Sequence, residues 1–160
     1  MNKNLATWQL IHRSLQSSIP VMLLYVLESK GSSPGRQGFF MAVNEEGEME
    51  GSIGGGIMEH KFVEMAKEKL QAASDKGQRT SIRKQFHDKT AAKDQSGMIC
   101  SGEQTIFMYH VEKKDMVNVE MIIASLHQHK NGLLHLSKRG IHFTPDALPY
   151  FNYHFHFNNE

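Results

Sequence analysis

Gly51-Ser52-Ile53-Gly54-Gly55-Gly56-Ile57-Met58-Glu59-His60 packs four of the chain's thirteen glycines into ten residues and runs directly into an amphipathic segment. A triple glycine lets the backbone take φ > 0 and bring its N–H groups close to another group. A helix starting just behind it adds unpaired N–H groups and a dipole that favour an anion. A plain strand-to-helix turn with no ligand uses the same glycines, and one glycine motif does not separate the two readings.

The helix after the turn is marked by Met58, Phe62, Met65, Ala66, Leu70 and Ala73 on one apolar face, ending near Gly77. Before the turn, residues 39–43 read as a strand, Asn44-Glu45-Glu46-Gly47 as a turn with Gly47 left-handed, and residues 48–50 as the returning strand. Further upstream, residues 20–27 (PVMLLYVL) form an unbroken apolar run of strand length, the pattern of a central strand buried on both faces. Residues 28–38 (ESKGSSPGRQG) read as a loop. Leu5, Trp8, Ile11 and Leu15 predict an N-terminal helix stopped by Ser17, Ser18 and Pro20. Downstream, residues 80–86 alternate, with Ile82 and Phe86 as the inward side, and residues 87–96 form a polar loop. Residues 97–102 make a second glycine-flanked loop, and 104–111 a strand. Asp115 is the expected N-cap of a helix whose face is Met116, Val119, Ile122, Ile123 and Leu126. Residues 133–136 and 141–143 flank a hairpin turn, and the alternating aromatics Tyr153, Phe155 and Phe157 suggest an edge strand.

These elements predict one α+β (mixed α/β) domain over residues 1–160: a mixed sheet with helices packed against it and a small hairpin extension at the C-terminus. A length of 160 residues suits one sizeable core, and 39% hydrophobic with 22% charged residues is the composition of a globular chain. The formal charge of +1 supplies no field to attract nucleic acid or an anionic membrane. No apolar run approaches the roughly 18 residues of a membrane span, no signal peptide precedes the first helix, and the single cysteine fits a reducing compartment. The expected location is cytoplasmic.

Three loops carry the chemistry: residues 31–38, 52–56 and 97–103. Loops at one end of a sheet converge readily on one site. Together they offer the hydroxyls of Ser32, Ser33, Ser52 and Ser101, the cations Lys30 and Arg36, the acid Glu103, many backbone N–H groups and the thiol of Cys100. That set suits a phosphate-bearing ligand that also contains a soft atom: N–H groups and Arg36 for phosphate, Cys100 for sulfur or metal.

Gly31-Ser32-Ser33-Pro34, Gly51-Ser52-Ile53-Gly54-Gly55-Gly56 and Gly97-Met98-Ile99-Cys100-Ser101-Gly102-Glu103 resemble, in order and separation, the three signatures of the XdhC/CoxI family. The resemblance covers residues 5–112 well and the remainder loosely. It implies a non-enzymatic maturation factor that binds molybdenum cofactor (molybdopterin) transiently and protects its sulfurated form. Hand-over goes to the apo-enzyme of a molybdenum hydroxylase such as xanthine dehydrogenase, with a cysteine desulfurase as second partner. Carried over by position, Gly54, Gly55 and Gly56 match the triple glycine, Cys100 the signature cysteine, Gly102 the second glycine after it and Glu103 the acid that follows. Ser32, Ser33, Arg36 and Ser52 complete the cofactor-binding set, with Cys100 as the metal ligand. Three departures stand out: Ile57 where many members have cysteine, Ser101 for a glycine, and Phe40 where a lysine is common. Many members also carry a C-terminal Rossmann domain, and no such fingerprint follows in this sequence.

Two other functions fit parts of the chain. A small nucleotide-dependent oxidoreductase would use the glycine loops, but no general-base pair, no nucleophile–histidine–acid order and no Gly-x-Gly-x-x-Gly fingerprint supports it. A structural module of a larger assembly, down to a homodimer, would pair its aromatic edge strand between copies. Among single residues, Glu59 is favoured in the first turn of a helix whether or not a ligand is present, and His60 there reads as solvated. His154 and His156 share a strand face without an evident third metal ligand, whereas His127 and His129 do not share a helix face. The ten methionines read as core, because they fall on helix faces and strands.

Overall fold

The computed structural model describes residues 3–31, 35–72, 80–86 and 102–147. The elements in order are α1 (Lys3–Gln16), β1 (Val21–Gly31), β2 (Phe40–Asn44), β3 (Met49–Gly51), α2 (Gly56–Gln71), β4 (Ser81–Phe86) and β5 (Gly102–Val111). They continue through a 3-10 turn (Lys113–Asp115), α3 (Met116–His127), β6 (Gly132–Ser137) and β7 (Gly140–Pro145). Five strands form one sheet in the order β3-β2-β1-β5-β4, and β6-β7 form a separate hairpin. The fold class is α+β as expected, but every pairing is antiparallel, so the sheet is not mixed.

β1 is the central strand, and its apolar run is divided between two cores. Val21 and Leu23 join Trp8, Leu10, Ile11 and Leu15 of α1 and Val119 and Ile122 of α3. Met22, Leu24 and Val26 point to the other face, against Met58, Phe62, Val63, Ala66 and Leu70 of α2. A strand covered on both faces has no polar face, which explains the unbroken hydrophobic run. Met22, Met41, Met58 and Met108 are fully buried in the α2 layer.

Local sequence sets the helix ends. Ser18 takes a left-handed φ of 55°. Its N–H donates to Leu15 and the Ile19 N–H to Ser14, a Schellman closure followed at once by Pro20. His129 (φ 53°) ends α3 in the same way, with His129 bonded to Leu126 and Lys130 to Ser125. Asp115 differs from expectation. Its side chain makes no cap bond to α3. It is buried and accepts the Glu112 N–H at 2.9 Å, the Tyr109 hydroxyl at 2.7 Å and the Ile141 N–H at 3.0 Å. Three donors, one from its own turn and two from β5 and β7, outcompete the helix end for one carboxylate.

β1 also runs further than its hydrophobic pattern. Glu28, Ser29, Lys30 and Gly31, expected in a loop, continue the strand past an irregularity at Val26/Glu28 and pair with Thr105, Gln104, Glu103 and Gly102. α2 ends at Gln71, where the Ala72 N–H bonds Glu68. The expected helix end at Ala73 and Gly77, the polar loop 87–96 and the aromatic edge strand 152–157 lie outside the described residues.

Candidate functional site

β1 and β5 finish opposite each other at Gly31 and Gly102, and the Phe40 end of β2 and the Gly51 end of β3 point toward the same end of the sheet, beside Tyr25 and Leu24 of β1. The loops 35–39 and 52–55 emerge at that end, and α2 begins there.

Gly35 joins these segments. It is buried, and a Cβ at this position would collide with the Gln104 amide nitrogen and the Ile53 carbonyl oxygen. Gln104 Nε2 donates to that same carbonyl at 3.2 Å, and Gln104 is fully buried. A Cβ on Gly54 would meet the Gly35 nitrogen at 2.9 Å. The first loop, the triple-glycine turn and the start of β5 therefore meet in one knot that only glycine at position 35 allows.

The triple glycine follows from the backbone path. Gly54, Gly55 and Gly56 have φ of 132°, 74° and 68°. Gly55, with ψ −179°, lies in a region that is essentially glycine-only. The Ser52 hydroxyl accepts the Gly54 N–H at 3.1 Å. Glu59 reaches back from the first turn of α2 to the Ile53 N–H at 3.0 Å, which gives it a structural role in holding the turn. No side chain caps the N-terminus of α2. A Cβ on Gly55 would meet nothing within 4 Å. The turn is held from behind and open in front, and the first N–H groups of a 16-residue helix, at its positive end, have no partner within the helix.

The other expected site residues divide. Arg36 is exposed, and its Nη1 lies 3.5 Å from the Gly31 carbonyl oxygen, which leaves the guanidinium accessible beside the knot. Gly102 faces Gly31 in register. Ser32, Ser33 and Cys100 lie outside the described residues. Glu103 sits between Lys30 at 3.5 Å and Lys84 at 3.4 Å, and not with Arg36. Glu28 and then Glu103 hold the Lys30 ammonium above its ordinary range. Alternation along β5 puts Glu103 on the side of Phe107 and Tyr109, opposite Gln104, Ile106 and Met108, which face α2. Phe40 stacks on Tyr25 at 5.6 Å and tilts against Trp8 at 5.6 Å, so it is a packing residue of the α1 layer. His60 is exposed.

Gln104 and Gly35 are the residues that sequence reasoning did not single out. A period-two count would have placed Gln104 beside Ile106 and Met108 on a buried face, where an amide needs a partner. Among the described residues no group of three or more His, Cys, Asp or Glu is placed to hold a metal, and no helix is long and apolar enough to cross a membrane.

The sequence pattern of the XdhC and CoxI family matches residues 14–81, from late α1 to the start of β4, and so includes the first two glycine loops. The uncharacterized protein YqeB of Escherichia coli (strain K12) is 32% identical over 95 residues, covering 58% of this chain and 16% of that relative. In three dimensions the chain resembles a Bacillus halodurans protein described as a xanthine dehydrogenase, with a TM-score of 0.57 at 20% identity. That alignment covers 84% of this chain and 40% of that one. Likeness at that identity is a likeness of fold.

Proposed function

Residues 14–81 belong to the XdhC and CoxI family, and on that premise we propose that this chain serves the maturation of molybdenum hydroxylases of the xanthine dehydrogenase type. In this reading it is a carrier that does no chemistry of its own. It binds molybdenum cofactor as cargo in the cytoplasm and hands it to the apo-hydroxylase, after a cysteine desulfurase has supplied the sulfur.

The observation that supports this most is the knot of Gly35, Ile53, Gly54 and Gln104, which draws the first loop, the triple-glycine turn and the start of β5 together. The donor set suits the phosphate end of such a cargo. The N–H groups of the first turn of α2, the open face of Gly55 and the accessible Arg36 are the groups a phosphate needs. Cys100, two residues before Gly102, supplies the soft ligand for the metal–sulfur end. Ile57, where many family members carry cysteine, is 56% exposed on the first turn of α2. A second thiol at that position would face the same opening.

The test is retention of cargo. The purified chain is incubated anaerobically with molybdenum cofactor, desalted, and assayed for molybdenum and pterin. Wild type is expected to retain both, Cys100→Ala to lose molybdenum, and Gly55→Val to lose both. Full retention by both variants would remove these residues from the mechanism, and no retention by wild type would sink the carrier reading for this chain.

A further inference from the structure

The β6–β7 hairpin carries a pair of side chains that the loop end does not use. Its inward side chains, Leu134, Leu136, Ile141 and Phe143, pack into the α1/α3 layer. On the other face His135 and His142 are both exposed. The register sets them directly opposite each other. The N–H groups of Ile141 and Phe143 point away from β6, to Asp115 Oδ1 at 3.0 Å and Asn118 Oδ1 at 2.9 Å. Residues 135 and 142 therefore form a hydrogen-bonded pair of the ladder, with Cα atoms about 5.5 Å apart and side chains on one face.

Neither imidazole makes a hydrogen bond or ion pair with a described residue. The remaining described histidines are placed differently. His12 is 3.1 Å from Glu120, His110 is buried, His129 closes α3, and His60 and His127 stand on separate helices. The hairpin backbone is pinned on its outer side by Asp115 and Asn118 and beneath by Ile141 and Phe143, which are 4% and 7% exposed. The backbone positions of the two histidines are thus held at a fixed separation before any ligand arrives.

Two neutral imidazoles so placed can close on one ion, with water in the remaining positions. Imidazole nitrogen suits zinc, copper and nickel over magnesium or calcium. We infer that His135 and His142 form a two-imidazole site for a divalent transition-metal ion on the exposed face of the hairpin. This site is separate from the loop end and stands or falls independently of the cargo reading.

Nickel, which has no competing redox chemistry with the lone thiol, is the probe. The full chain, stripped with EDTA, is titrated with Ni²⁺ by calorimetry at neutral pH, alongside His135→Ala, His142→Ala and the double variant His154→Ala/His156→Ala. Wild type is expected to take up one equivalent. Loss of either ligand weakens binding at least as much as loss of an outer-shell partner does, about tenfold or more. The double variant retains wild-type affinity. Both hairpin positions are exposed, so unchanged circular dichroism and melting in metal-free buffer confirm that the variants fold. Wild-type affinity in both hairpin variants, or loss confined to the double variant, would overturn the assignment.

Discussion

Gln104 near the start of β5 and Asp115 just beyond its end are both buried polar side chains that tie this strand's surroundings to distant segments, and they do it differently. Gln104 is neutral and donates to the Ile53 carbonyl in a crowded space where Gly35 has no room for a side chain. Asp115 carries a carboxylate with three donors aimed at it from β5, its own turn and β7, and reciprocates with Glu112 as a capping box. One end of the molecule is locked by satisfied charge and the other by close backbone contact. Beyond the close-contact end, α2 begins with no side-chain cap. A closed lock suits a purely structural junction, whereas open donors suit a place where something else binds.

Removing the carboxylate is expected to have the largest effect. Asp115→Ala leaves the Tyr109 hydroxyl and the Glu112 and Ile141 N–H groups without their acceptor. At ~1–2 kcal/mol for each donor, the loss is about 3–6 kcal/mol. In a chain of this length that lowers Tm by roughly 10 °C, readable by calorimetry. Asp115→Asn, which keeps one acceptor oxygen, is expected to lose less than half as much. Equal losses in the two variants would mean that the full carboxylate is required and one retained acceptor oxygen rescues nothing, because asparagine keeps the volume.

The knot is expected to respond less to loss of its hydrogen bond and more to added volume. Gly35→Ala drives a methyl into the Ile53 carbonyl, a backbone atom that cannot swing aside, and costs about 2–3 kcal/mol. Gln104→Leu keeps the volume and leaves that carbonyl without its donor, for about 1–2 kcal/mol. The double variant reports coupling, because both changes act on the same oxygen and are expected to be non-additive. Strict additivity in urea unfolding would separate the two residues and dissolve the knot as a unit.

The contrast also explains what the sequence reveals and what it hides. The apolar run 20–27 identifies a central strand because burial on both faces is written in consecutive residues. The first two glycine loops are visible because their backbone path needs glycine locally, as at Gly38 and at Gly54, Gly55 and Gly56. The side chains that join them are hidden, since Gln104 acquires its partner from a segment some fifty residues away. Asp115 looks like a helix cap for the same reason: its position in sequence fits one, but donors from β5 and β7 claim it. The strand character of Glu28 and Lys30 is masked by their polarity, which makes sense only beside Glu103 and Lys84 on the neighbouring strands.

The smallest effect expected is one of pH, and it is read at the buried Tyr109 of the charged end. Burial, and then the bond to Asp115, push the Tyr109 hydroxyl well above its ordinary range. The unfolded chain releases that proton near pH 10, whereas the folded chain keeps it. The contribution of Tyr109 is therefore fully present below pH 10 and is lost as the pH rises beyond it, because only the unfolded state gains by ionising. Between pH 9 and 10.5 the loss is about 1 kcal/mol. Tyr109→Phe removes the titrating group, so its urea midpoint is expected to fall less over this interval than that of wild type. Gln104→Leu, which removes no ionisable group, is expected to follow the wild-type pH dependence at a lower overall stability. If Tyr109→Phe also tracked wild type, the buried hydroxyl would contribute nothing to the alkaline limit, and the charged lock would be no more sensitive to pH than the neutral knot.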